Sequence, residues 1–229
     1  MHKKVSVIIP AYNEEAAIRQ TVCAVASIPE VGEIIVVDDA STDKTAQIAR
    51  DAGARVFSMP ENSGKGAALT FGASKANFDV IALLDGDLGS SSGEARHLML
   101  PVLEGTADMT IAGFPAARKK GGFGLVKGLA ARGIERHTGL KMQSPLSGQR
   151  VMTGEVLQKV LPFASGYGVE VALTIKVSSL GFRIMEIPVQ MYHAETGRDI
   201  KGFIHRGKQF IDILRVLATL RVKGRGELC

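Results

Sequence analysis

Tryptophan is missing from all 229 residues, and aromatic side chains make up only 5% of the chain. Nucleic-acid platforms that stack bases on aromatic rings are therefore not expected, and no nucleic-acid partner is inferred. Cysteine is nearly absent too. Cys23 falls in a stretch of small residues that reads as helix core, and Cys229 is the last residue. A structural disulfide between them is not expected, which points to a reducing compartment and a cytoplasmic protein. No apolar run approaches the roughly 20 residues of a membrane span. The first one, Val5 to Ile9, is too short for a signal-peptide core and ends at Pro10. The acidic excess of a solvating tail is also missing, because 28 basic residues face 23 acidic ones and leave a net charge of +5. That excess is uneven. Arg118-Lys119-Lys120 and the stretch after Lys201 carry much of it, and such patches suit phosphate-bearing ligands or an anionic surface when they are more than solvated faces.

What is present is a globular composition, 45% hydrophobic and 22% charged, at a length that suits one domain with a sizeable core. Val80-Ile81-Ala82-Leu83-Leu84 reads as a strand buried on both faces, and Asp85-Gly86-Asp87 follows at once. Ahead of it, Val5–Ile9, Glu33–Val37 and Arg55–Ser58 read as strands. They alternate with helices expected over 14–27, 44–52 and 67–76. This alternation predicts right-handed βαβ units and a parallel sheet. Ligands of such sheets bind beyond the carboxyl ends of the strands. Asn13 and Glu14 follow the first strand, Asp38 and Asp39 the second, Asp85 and Asp87 the fourth. If those strands are neighbours, three polar clusters converge on one edge. A carboxylate there can accept hydrogen bonds from ribose or base, or hold a divalent cation against a diphosphate. Asp-x-Asp alone equally fits an Asp-Gly turn with a solvated second Asp. Lys65, between Gly64 and Gly66, is either a mobile cation near the phosphates or a solvated loop lysine, and its loop lacks Walker A spacing.

Four stretches carry a resemblance. Val5–Glu15, Val36–Asp43, Asn62–Gly66 and Leu84–Asp87 resemble, in order, the motifs of family-two glycosyltransferases of GT-A type. The resemblance implies a Rossmann-like, mostly parallel sheet flanked by helices, and transfer of a sugar from a UDP- or GDP-linked donor with Mg²⁺ or Mn²⁺. Carried over by position, Pro10, Ala11, Tyr12 and Glu14 would shape the base and ribose pocket. Asp39 would contact base or ribose, Lys65 would lie over the nucleotide, Asp85 would stand near ribose or sugar, and Asp87 would bind the metal. Residues 1–200 would form the catalytic domain, with a nucleotide-binding half to residue 90 and an acceptor half beyond it.

In the second half, a helix is expected over 125–137, another over 169–180, and a strand over 182–189. Pro145–Gln149, Gly166-Tyr167-Gly168-Val169-Glu170 and His193 resemble glucosyl-phosphoglycerate synthases, in which the matching His completes the metal shell. Ile187-Pro188-Val189 and the helix after it also resemble polyprenyl-phosphate glycosyltransferases, although Gly89-Ser90-Ser91 replaces that group's Gln-bearing segment after the first Asp pair. A phosphate-bearing acceptor follows from either resemblance, with Arg118, Lys119, Lys120, Arg150, Gly166 and Tyr167 as contacts. Glu170 has two readings: a carboxylate favoured by the helix dipole, or a holder of a sugar or acceptor hydroxyl. If the acceptor is a hydroxyl, Glu170 or Asp85 would take its proton. Residues 202–223 read as a basic amphipathic helix bearing Phe203, Phe210, Leu214 and Leu217. Docking on the core or on a second copy is favoured for it over contact with the inner membrane face. A nucleotidyltransferase would need a Gly-rich first loop with Arg or Lys, which Ala11–Glu15 is not. A non-catalytic nucleotide-sugar-binding protein is the rival outside enzymes.

Overall fold

The computed structural model describes residues 4–114, 124–163 and 169–192. The first half runs β1 (Val5–Ala11), α1 (Ile18–Ala26), β2 (Val31–Asp38), α2 (Thr45–Asp51), β3 (Arg55–Ser58), α3 (Lys65–Ala73) and β4 (Val80–Leu83). A 3₁₀ turn over Gly89–Glu94 leads into α4 (Ala95–Leu103) and β5 (Met109–Gly113). There follow α5 (Gly124–Thr138), β6 (Arg150–Thr153), α6 (Gly154–Val160), α7 (Val169–Ser179) and β7 (Ile184–Pro188).

The seven strands form one sheet in the order β3-β2-β1-β4-β6-β5-β7. The first four are parallel, and β1, β2 and β4 are neighbours as the polar clusters require. β7 is parallel to β5, while β6 runs antiparallel to both β4 and β5. Side chains alternate across the sheet. Val5, Val7 and Ile9 of β1 pack with Ile18, Val22 and Val25 of α1 and with Leu98 and Val102 of α4. Ile8, on the other face, packs with Leu69 of α3, Val156 and Val160 of α6, and Leu173 and Val177 of α7. α5 rests on α7 through Ala130, Ile134, Val171 and Ile175. Burial on both faces explains why β1 and β4 are so apolar, with Ser6 the one polar side chain among Val5–Ile9 and Val80–Leu83.

Three expectations are corrected. The first helix begins at Ile18, not near Glu14: Asn13 has a φ of 57°, and the amides of residues 13–15 bond to Ser41, Thr45 and Asp43, so the chain makes a turn before the regular helix starts. β6 was not expected at all, since only Val151 and Met152 mark it as apolar. Cys23 is exposed rather than core, because α1 buries the face of Ile18, Thr21, Val22 and Val25.

Away from the carboxyl edge, Glu33 locks β1, β2 and the turn before β4 together. Its Oε1 accepts from Ser6 Oγ at 2.6 Å and Asn77 N at 2.7 Å. Its Oε2 accepts from Asn77 Nδ2 at 2.8 Å and from Arg55. Burial raises this carboxyl's pKa, but the four donors outweigh it and hold the value below the usual range. A depressed pKa contributes stability that is full above the unfolded value and lost as pH falls through the folded one. Glu33→Ala is expected to cost about 2–3 kcal/mol at neutral pH, because it strands several donors. The loss relative to wild type should shrink as pH falls past the ordinary glutamate value and through the depressed folded one, where Glu33 itself becomes protonated. Urea unfolding of wild type and variant at pH 7 and through a descending acid series checks both statements.

Candidate active site

The carboxyl edge of β1, β2 and β4 carries the polar clusters, and two loops there are laced together. Asn13 Oδ1 accepts from Thr42 N at 2.8 Å, Asn13 N donates to Ser41 Oγ at 2.9 Å, and Glu14 N donates to Thr45 Oγ1 at 2.7 Å. Asn13 and Ala40 both have positive φ, 57° and 60°. For Ala40, whose Cβ meets its own backbone there, this conformation costs about 1 kcal/mol and is held by the surrounding bonds.

Asp85 stands just past β4. Lys65, at the start of α3, places Nζ 2.7 Å from Asp85 Oδ1. Gln149 Nε2 donates to Asp85 Oδ2 at 2.7 Å. Glu170, in the first turn of α7, brings Oε1 to 3.5 Å from the same lysine nitrogen. Burial would lower the pKa of Lys65, but Asp85 and Glu170 outweigh it and raise the pKa above the ordinary lysine value. The lysine is therefore a fixed cation between two carboxylates.

Antiparallel β6 makes this meeting possible. Leu83 pairs with Arg150, so the start of β6 lies beside the end of β4, and Gly148-Gln149 lie beside Asp85. A Cβ on Gly148 would stand 2.5 Å from Lys65 Nζ and 3.1 Å from Asp85 Oδ2, so the approach requires glycine. The Asp85–Asp87 turn is braced from α1. Thr21 Oγ1 donates to Gly86 O at 2.8 Å and accepts from Gly89 N at 2.9 Å. Gly86 itself faces Pro10, Ala11 and Glu14, with its added Cβ 3.4–3.6 Å from their atoms. On the same edge, Gly113, Phe114, Gln143, Glu186, Pro188, Val189 and Gln190 line a recess of about 340 Å³.

With this geometry in place, the likeness to known proteins can be stated. Residues 6–149 match the model of glycosyl transferase family 2. The chain belongs to that family. It is 32% identical over 197 residues to glucosyl-3-phosphoglycerate synthase of Mycobacterium tuberculosis (strain CDC 1551 / Oshkosh), a match covering 76% of this chain and 60% of that protein. It is 35% identical over 113 residues to undecaprenyl-phosphate 4-deoxy-4-formamido-L-arabinose transferase of Salmonella paratyphi A, covering 45% of this chain and 35% of that protein. The crystal structure of the M. tuberculosis synthase with Mn²⁺, uridine diphosphate and phosphoglyceric acid superposes with a TM-score of 0.78 at 29% identity, over 95% of this chain and 78% of that one. The GT-A fold is thus shared, while the chain spans about three-fifths of the curated synthase's length.

Within this family-two fold the expected residues fall in distinct groups. Lys65, Asp85 and Glu170 meet, and Pro10, Ala11 and Glu14 border the Asp85–Asp87 turn. Tyr12 is 48% exposed at the same loop. Asp39 is 4% exposed and has a structural task besides. Its two oxygens accept from Ser63 N and Gly64 N, both at 2.8 Å, and so hold the loop that delivers Lys65. Arg150 is corrected: it is 1% exposed, and its guanidinium donates to Ser147 O, Thr174 Oγ1 and Glu170 O at 2.9–3.0 Å. A side chain so enclosed does not reach an acceptor phosphate. Arg118, Lys119, Lys120, Gly166, Tyr167, His193 and the expected helix over 202–223 lie outside the described residues.

Among the described residues no three His, Cys, Asp or Glu side chains cluster as a metal site, and no helix is long and apolar enough to cross a membrane. Gly148, Gln149 and Thr21 belong to the site but were not singled out. Only the resemblance of the Pro145–Gln149 stretch hinted at the first two.

Proposed function

We propose that this protein transfers a hexosyl group from a nucleoside-diphosphate sugar to a phosphate-bearing acceptor, with a divalent cation. The carrying observation is the Lys65–Asp85–Glu170 cluster beside the Asp85-Gly86-Asp87 turn, on a sheet that matches synthases holding uridine diphosphate, metal and phosphoglyceric acid. Both oxygens of Asp85 accept from fixed donors, which orients the carboxylate for hydroxyls of the ribose or sugar. Asp87 is then the better metal ligand, with His193 as a candidate second one. An oxygen-rich donor set with one imidazole suits Mg²⁺ or Mn²⁺. Such a cation, when bound, neutralises the leaving diphosphate.

Asp39 shapes the nucleotide pocket through the loop it holds, and Pro10, Ala11, Tyr12 and Glu14 form its wall. Lys65 adds a preorganised positive charge that needs no reorientation as negative charge develops. Glu170, half-buried near Lys65, orients an acceptor or sugar hydroxyl, and it takes the proton where the acceptor is an alcohol. A phosphoglycerate-like acceptor is favoured, because the likeness to the synthase runs over 76% of the chain and that to the polyprenyl-phosphate enzyme over 45%.

The test is nucleoside-diphosphate release from UDP- and GDP-sugars with Mn²⁺ or Mg²⁺, with 3-phosphoglycerate, with a short polyprenyl phosphate, or with neither. Release that needs both metal and 3-phosphoglycerate is expected. Release with polyprenyl phosphate alone would move the acceptor class, and metal-dependent nucleotide binding without turnover would favour a binding protein.

A further inference from the structure

Arg150 is the largest fully buried side chain, yet among the described residues it makes no ion pair. Taking a guanidinium out of water costs several kcal/mol, and an apolar side chain of similar volume fills such a space at lower cost. Packing therefore does not account for it. Its partners do. Nε donates to Ser147 O at 3.0 Å, in the loop that ends in Gln149. Nη1 donates to Thr174 Oγ1 and Nη2 to Glu170 O, both at 2.9 Å, in the first turns of α7. Thr174 Oγ1 also donates to Glu170 O at 2.8 Å.

These bonds close a ring. Arg150 holds the main chain of Glu170, whose carboxylate meets Lys65. Lys65 pairs with Asp85, Asp85 accepts from Gln149, and Gln149 is the residue before Arg150. Two stretches distant in sequence, the start of β6 and the start of α7, are thereby set at one fixed separation. A planar guanidinium with five donors suits this bridging, and a lysine ammonium does not.

The geometry points to Arg150 as a positioning residue that sets Glu170 and Asp85 in register while touching neither substrate. The kinetic part of this inference rests on the proposed glycosyl transfer, and the structural part does not. The experiment compares wild type with Arg150→Met and Arg150→Lys by three readouts: urea unfolding, hydrogen exchange resolved by peptide, and nucleoside-diphosphate release. In Arg150→Met the unfolding midpoint should fall only modestly, since the cost of a buried guanidinium is relieved while Ser147 O and Glu170 O lose a donor. Exchange over 170–175 should quicken about tenfold, the loss expected for charged hydrogen bonds to that turn. kcat should fall about a hundredfold with donor KM within threefold, as expected when reacting groups are misplaced by about 1 Å. Arg150→Lys should fall between the two in exchange.

Unchanged exchange over 170–175 in both variants would overturn the proposal. So would a uniform rise across all helices with a lower midpoint and unchanged kcat per folded molecule, since that is a purely structural arginine. If Arg150→Met does not fold, exchange in Arg150→Lys decides. If wild type itself shows no turnover, the functional reading fails, and the exchange data alone judge Arg150.

Discussion

Asp87→Ala is expected to reduce metal-dependent turnover by about three orders of magnitude, the equivalent of about 4 kcal/mol of lost transition-state stabilisation. The size follows from the division of labour between two carboxylates one residue apart. Asp85 is bound at 2.7 Å by the ammonium of Lys65 on one oxygen and by the amide of Gln149 on the other. With both oxygens already engaged, one of them by an ammonium, it is the poorer cation ligand of the two. Asp87 follows on the turn that Thr21 pins through Gly86 O and Gly89 N, so its position is fixed from below by α1. Replacing it leaves those main-chain bonds in place, and the fold should survive. Electron paramagnetic resonance of Mn²⁺ in the presence of uridine diphosphate should show weakened binding in the same variant. Full activity of Asp87→Ala with normal Mn²⁺ binding would remove Asp87 from the metal site.

Gly148→Ala is expected to lower kcat/KM about a hundredfold while leaving the melting temperature within a few degrees of wild type. One methyl group separates these outcomes. The new Cβ would sit 2.5 Å from Lys65 Nζ, the far end of a flexible side chain, so the lysine moves and the backbone need not. Exchanging Gly for Ala also narrows the unfolded ensemble, which offsets strain by about 0.4–1 kcal/mol where the backbone allows it. The displaced ammonium leaves Asp85 with Gln149 as its remaining fixed partner in this cluster, and the cation that spanned Asp85 and Glu170 is lost. Steady-state kinetics beside a thermal melt give the answer. A variant with reduced stability and wild-type kinetics would mean that the ring of contacts does not govern activity.

Much of this arrangement was legible in the chain. β1, β2 and β4 were readable because strands buried on both faces are rich in apolar residues, and the polar residues after each run marked the sheet edge. Lys65, Asp85 and Glu170 were each identified, and they meet. The links between them were hidden. Gln149 and Asp85 are 64 residues apart, and their contact depends on a four-residue antiparallel strand with no periodicity to announce it. Arg150 read as an acceptor-phosphate contact because arginine is rarely buried, and only its enclosure between β6 and α7 reveals otherwise. The structural task of Asp39 was hidden as well, because loop amides that bond to both oxygens of a carboxylate leave no trace in sequence spacing.

The placement of β6 also bears on how the chain is made. β4 pairs with β1 on one side and with β6 on the other, and β6 arrives long after β4 in the order of synthesis. A nascent chain that has completed β4 but not β6 therefore carries an unsatisfied strand edge at the middle of its future sheet. Such edges recruit other strands, so the growing polypeptide passes through an interval of aggregation risk that ends only when β6 is inserted. The same insertion brings Gly148, Gln149 and Arg150 to Asp85. Relief of that hazard and assembly of the site are thus one event in the life of the protein.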